Sequence, residues 1–150
     1  IRPGEIQKMS AGTGIRHSEH NALKDGVTHL MQIWILPDKK GYPPSYGQQS
    51  FVEKMKDNNF VLLVSQNGEE GSIQINQNAK IFLGRPRANE KINFSLHPNR
   101  CVWLQMVKGT ISLNGQTLEN SDAAAVISET TIDLRSTSES EFLLFDLPRV

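Results

Sequence analysis

Apolar residues along this chain come in short bursts, each ended by a turn residue before a helix of ordinary length can form. That feature restricts the fold more than any other. Residues 28–36 (THLMQIWIL) are apolar on both faces and stop at Pro37, as a strand buried in a sandwich or barrel should. Residues 60–64 (FVLLV) read the same way. Residues 90–96 alternate, with Ile92, Phe94 and Leu96 on one face and Lys91, Asn93 and Ser95 on the other. Asn114-Gly115, set between Ile111 and Leu113 on one side and Leu118 on the other, predicts a two-residue hairpin turn. Further strands are expected over residues 72–75, 80–83, 101–107, 123–127, 131–134 and 141–147. One or two helical turns are expected over residues 50–56, where Phe51, Val52 and Met55 fall at helical spacing. The pattern is that of an all-β antiparallel sandwich or jelly-roll barrel.

A length of 150 residues suffices for one good domain or two small β units. Residues 37–49 hold Pro37, Pro43, Pro44, Gly41 and Gly47, poor continuations of a strand, and mark the expected boundary between two units. Tyr42 and Tyr46 are expected to pin this segment to the surface. Sixteen basic residues balance sixteen acidic ones, which gives no electrostatic reason to expect nucleic acid or an anionic membrane as partner. Cys101 is the only cysteine, so neither an internal disulfide nor a thiolate zinc cluster can form, and a reducing, cytoplasmic location fits. Its expected role is that of a small buried hydrophobe. Trp34 and Trp103 are core candidates, and Met9, Met31 and Met106 are expected to fill gaps.

Chemistry concentrates in residues 4–21, GEIQKMSAGTGIRHSEHN. On an extended strand His17 and Glu19 point the same way, while Ser18 and His20 point the other. An imidazole and a carboxylate on one inward face offer two adjacent positions to a divalent metal ion. Gly12 and Gly14 let the chain turn tightly just before them. Nitrogen and oxygen donors without sulfur suit Fe(II), Mn(II), Ni(II) or Zn(II). Two ligands alone hold an ion poorly, and a His-x-Glu pair is common on solvent-facing strands. Arg16 is read as a surface residue, with contact to a substrate oxygen as the alternative. His29 is read as a partly buried strand residue, with a place on the cavity as the alternative. His20 reads as a solvated turn residue, and His97-Pro98-Asn99 as a turn.

Residues 1–21 resemble the second conserved motif of the pirin family, whose segments read like RPGEIQKMSAGTGIRHSE, and residues 28–37 resemble the strand that comes after it there. The closing SESEFLLFDLP resembles the end of that family's C-terminal cupin. The likeness runs from the first residue to the last, is weaker over residues 57–99, and is greatest to bacterial members that cleave flavonols. It implies a bicupin divided here into residues 1–36 (remainder of an N-terminal metal-binding cupin), 37–59 (linker with a short helical turn) and 60–150 (C-terminal cupin without a metal motif). His17 and Glu19 become two of four metal ligands. The other two, a His-x-His pair in the first motif, are expected in a portion preceding Ile1, since Ile1-Arg2-Pro3-Gly4-Glu5 reads as a turn between two strands.

The same resemblance implies a metal-dependent dioxygenase of the quercetin 2,3-dioxygenase type. Its ion is expected to be Fe(II), with Zn, Ni, Mn, Co or Cu as alternatives, and the site to be partly or wholly empty in this chain alone. Glu19 is the expected catalytic residue, accepting the flavonol hydroxyl proton before dioxygen adds across the heterocycle and carbon monoxide leaves. A metal-containing regulatory protein that binds a partner is the alternative function. A barrel without its early strands exposes unpaired edges, so pairing with the missing segment or with a second copy is expected.

Overall fold

A computed structural model describes residues 1–149, and twelve strands and one short helix account for nearly all of its regular structure. β1 (Glu5–Ser10) and β2 (Ser45–Ser50) form an antiparallel pair by themselves, Glu5 opposite Ser50 and Ser10 opposite Ser45. A short helix, α1 (Val52–Asp57), comes next, at the place where the apolar residues have helical spacing. The remaining strands are β3 (Phe60–Ser65), β4 (Ile73–Gln74), β5 (Lys80–Gly84), β6 (Lys91–Ser95), β7 (Arg100–Lys108), β8 (Ile111–Leu113), β9 (Gln116–Leu118), β10 (Ala123–Ile127), β11 (Thr131–Ser136) and β12 (Glu141–Pro148). They build a six-stranded sheet in the order β10-β7-β12-β5-β3-β4 and a four-stranded sheet in the order β6-β11-β8-β9. All neighbours are antiparallel except β3 and β4.

The two sheets enclose one core because the alternation of their strands points the same residue class inward. Val102, Leu104 and Met106 of β7, Ile132 and Leu134 of β11, and Phe142 and Leu144 of β12 all lie in it. Ile92, Phe94 and Leu96 join them, as their spacing required. Phe60 and Phe82 stack with ring centroids 4.8 Å apart, and Phe94 meets Phe82 edge-on at 5.4 Å. The six-stranded sheet is also apolar on its other face. Val61, Leu63, Ile81, Leu83 and Leu143 lie there, covered by Phe51 and partly by Ile6, Ile35 and Met55. Two covered faces explain why β3 reads as an unbroken apolar run. At the β8–β9 turn Asn114 and Gly115 both take positive φ, 48° and 85°, the hairpin geometry that Asn-Gly favours.

Several expectations fail, and for related reasons. Residues 28–36 form no strand, because no strand among the described residues lies beside them to complete a ladder. Trp34 is 87% exposed rather than in the core. Trp103 is 42% exposed because it sits on β7 between inward-facing Val102 and Leu104, and so points to the thinly covered outer face. Met106 fills the core as expected, whereas Met9 and Met31 are exposed. Cys101 is half-buried, not fully buried. The segment read as strand-poor contains β2, since Gly47 sits on an edge strand where it costs little. Tyr42 and Tyr46 bond within their own segments, to Asp38 Oδ1 at 2.7 Å and Gln48 Oε1 at 2.6 Å. The Asp38 hydrogen bond is the main reason the Tyr42 hydroxyl titrates above its ordinary value of 10.0. Hydrogen bonds tie this stretch to the barrel, among them one from Gln49 Nε2 to Gly71 C=O at 2.7 Å. Asp38 N–H donates to Asn76 C=O at 2.8 Å, and Gln77 Nε2 donates to Leu36 C=O at 2.8 Å.

Candidate metal centre

The segment carrying His17 and Glu19 begins where β1 ends. Gly14 N–H donates to Ala11 C=O at 2.8 Å, closing the turn that the two glycines predict. Gly12 has φ 54°, and a Cβ there meets the backbone of Tyr42, Pro43 and Pro44, so only glycine lets the two stretches of chain pass this closely. Beyond the turn the chain runs without a ladder through His17, Ser18 and Glu19. The expected strand alternation over these residues is therefore absent, and His17, Glu19 and His20 are all exposed. The His17 ring does make one defined contact, with Nδ1 3.3 Å from Met9 Sδ on β1. Asn21 holds the chain together from its own position to Thr28. Its Nδ2 donates to Gly26 C=O at 2.9 Å, and its Oδ1 accepts from Leu23 N–H at 3.0 Å and Thr28 Oγ1 at 2.8 Å.

For a metal ion the donor chemistry fits and the donor number does not. His17 and Glu19 supply nitrogen and oxygen, the set suited to a borderline divalent cation. Yet no group of three His, Cys, Asp or Glu side chains capable of holding an ion occurs among the described residues. Two donors on an exposed segment cannot fix an ion by themselves.

A cleft of about 190 Å³ opens between the β1 end of the chain and the outer face of the six-stranded sheet. Glu5, His29, Met31, Met55, Glu141 and Leu143 line it. His29 lies outside the described strands and borders this cleft on the outer face of the sheet, which is not the interior of the first barrel. Both carboxylates here are already engaged. Glu5 Oε2 accepts from Arg2 N–H at 2.8 Å and Gln48 Nε2 at 2.9 Å, while Glu141 pairs with Arg85 at 3.3 Å. Sequence reasoning did not group His29 with Glu141, and no local signal links residues so far apart along the chain. His97 lies in the expected turn, its C=O accepting from Arg100 N–H at 3.1 Å. Arg16 is exposed and has no described ion-pair partner.

Comparison with known proteins adds a second line of observation. Residues 62–147 match the family described as the quercetinase C-terminal cupin domain, and residues 1–35 match the family described as pirin. The chain is 40% identical over 150 residues to quercetin 2,3-dioxygenase of Escherichia coli strain K12, covering all of this chain and 64% of that protein. The crystal structure of YhhW from Escherichia coli superposes with a TM-score of 0.93 at 38% identity, over 100% of this chain and 63% of that one. YhhW in complex with nickel(II), described as a bacterial pirin, gives a TM-score of 0.87 at 37% identity, over 98% and 62% respectively. The chain thus spans a little under two thirds of these relatives, and its jelly roll is a cupin fold.

Proposed function

The chain belongs to the pirin family, and from that premise we propose that the complete protein is a metal-dependent dioxygenase that opens flavonols with O2. The observation that carries this reading is the 40% identity, across every residue of the chain, to a quercetin 2,3-dioxygenase. Nickel bound to a bacterial pirin supports a divalent ion in the site, with Fe(II) our first choice for the native metal. The division into residues 1–36, 37–59 and 60–150 goes with it, the first part contributing to the metal-binding cupin and the last being a supporting cupin. A reducing, cytoplasmic setting also goes with a chain whose one thiol has no disulfide partner.

His17 would hold one position on the ion through an imidazole nitrogen, and Glu19 would hold another through a carboxylate oxygen. In this reading the remaining positions on the ion belong to a His-x-His pair outside the residues of this chain. Bound there, a divalent ion supplies a Lewis acid that orients the flavonol oxygens and withdraws charge from them. Glu19 accepts the flavonol hydroxyl proton, which leaves an electron-rich ring for dioxygen.

The test uses the complete protein with added Fe(II), quercetin and air, following quercetin loss and carbon monoxide release. Glu19→Ala is expected to slow turnover about a hundredfold or more. Undiminished turnover removes Glu19 from proton transfer, and a wild-type protein inert with every first-row divalent ion overturns the dioxygenase reading.

A further inference from the structure

Residues 11–35 carry His17 and Glu19, and one turn of the C-terminal barrel holds both ends of that stretch. The turn is Asn76-Gln77-Asn78, between β4 and β5. At the leading end Asn76 Nδ2 donates to Ser10 Oγ at 3.3 Å. At the trailing end Gln77 Nε2 donates to Leu36 C=O, and Asp38 N–H donates to Asn76 C=O, each at 2.8 Å. Three successive side-chain amides suit this role, because each carries a donor and an acceptor. Gln77 uses both, since its Oε1 also accepts from Asn78 N–H at 2.8 Å.

The turn itself is fixed from the sheet. Arg100 opens β7, and its guanidinium reaches across β12 to the turn that leads into β5. Nε donates to Asp146 Oδ1 at 2.6 Å and Nη2 to Asp146 C=O at 2.8 Å. Nη1 donates to Asn78 Oδ1 at 2.8 Å and to Asn78 C=O at 3.3 Å. These contacts from one planar group set both the position and the orientation of the turn. The two charged side chains are each only 13% exposed, so water and salt screen the pair little and its hydrogen bonds are charge-assisted. All these contacts lie within the chain, whose backbone follows that of the longer YhhW over its whole length, and none depends on a surface being free.

We propose that Arg100 is a positioning residue for the segment that carries His17 and Glu19, acting through the Asn76-Gln77-Asn78 turn, an inference that rests on the metal-binding reading of that segment. The relay runs from Asp146 to Arg100 and Asn78, then through Gln77 and Asn76 to Leu36, Asp38 and Ser10. The C-terminal barrel thereby fixes where the metal-carrying stretch starts and ends, and so the path left to the chain between. That matters because a ligand pair displaced by about 1 Å binds its ion less well. Lysine cannot substitute for Arg100. It keeps the charge, but its single nitrogen cannot reach Asp146 and both Asn78 oxygens together.

The test uses the complete protein and nickel(II), the ion bound by YhhW. Arg100→Lys breaks the relay at the barrel, and Gln77→Ala breaks it at the segment. Each is expected to weaken retention of nickel(II) against a competing chelator about tenfold, the equivalent of one charge-assisted hydrogen bond. In both variants the amides of residues 10–38 are expected to exchange with deuterium faster, while those of β11 keep their wild-type rates. If Arg100→Lys loosens β11 as well, Gln77→Ala, which leaves the ion pair untouched, decides alone. Wild-type exchange over residues 10–38 in the folded variants, or faster exchange there with undiminished nickel(II) retention, overturns the proposal. A wild-type protein that retains no nickel(II) refutes the metal reading instead, and the exchange rates then decide whether the turn positions the segment.

Discussion

β7 and residues 28–36 are alike in sequence: nine residues each, a tryptophan among aliphatic side chains, and enough β-branched residues for a strand. Their fates differ. β7 lies between β10 and β12, with Val102, Leu104 and Met106 at most 2% exposed. Residues 28–36 join no ladder among the described residues, and Leu30, Met31, Ile33, Trp34 and Leu36 are between 40% and 87% exposed. The contrast teaches that apolar strand-forming residues are only half of a strand. A ladder must satisfy each backbone amide, and that partner is remote in sequence. The region poorest in such partners is also the one that carries His17 and Glu19, whereas the well-packed region offers a rigid support.

Mutations sharpen this contrast in order of size. Phe142 is fully buried, and its ring packs so closely on Gly84 that no Cβ fits there. Phe142→Ala is expected to cost about 3–5 kcal/mol in urea unfolding; a cost under about 1 kcal/mol refutes the core described here. Asn114→Ala forces alanine to φ 48° and removes the 2.8 Å bond from Asp133 N–H to Asn114 Oδ1, for an expected loss of about 1–2 kcal/mol. Asn114→Gly relieves the backbone but not the lost bond, and should fall between the alanine variant and the wild type. Trp34→Ala is expected to shift the stability of this chain by no more than about 0.5 kcal/mol, despite deleting the largest kind of side chain. A large loss at Trp34 means that the exposed segment packs after all.

Much of the barrel was legible because its signals are local. The alternation over residues 90–96, the Asn114-Gly115 turn and the unbroken run of β3 each determine a side-chain direction or a backbone twist without reference to the rest of the chain. What stayed illegible depended on neighbours. The tryptophans looked like core, but which face of β7 is thinly covered depends on the whole sheet order, and no window around Trp103 reveals it. β2, polar and glycine-containing, becomes a strand only because β1 lies opposite it. At the candidate site, the glycine turn and the His-x-Glu pair were visible from spacing. The contact of His17 with Met9, and the cleft that His29 and Glu141 both line, are products of folding.

In the proposed function the sparsely paired N-terminal region, and not the barrel, supplies ligands for a metal ion. Metal content of the complete protein, measured by plasma mass spectrometry after loading and exhaustive dialysis, tests it in wild type and His17→Ala side by side. The expected result is about one divalent ion per wild-type chain and loss of most of it in the variant, with the barrel's thermal transition unchanged. Equal retention of the ion by both proteins places the metal elsewhere and contradicts the claim.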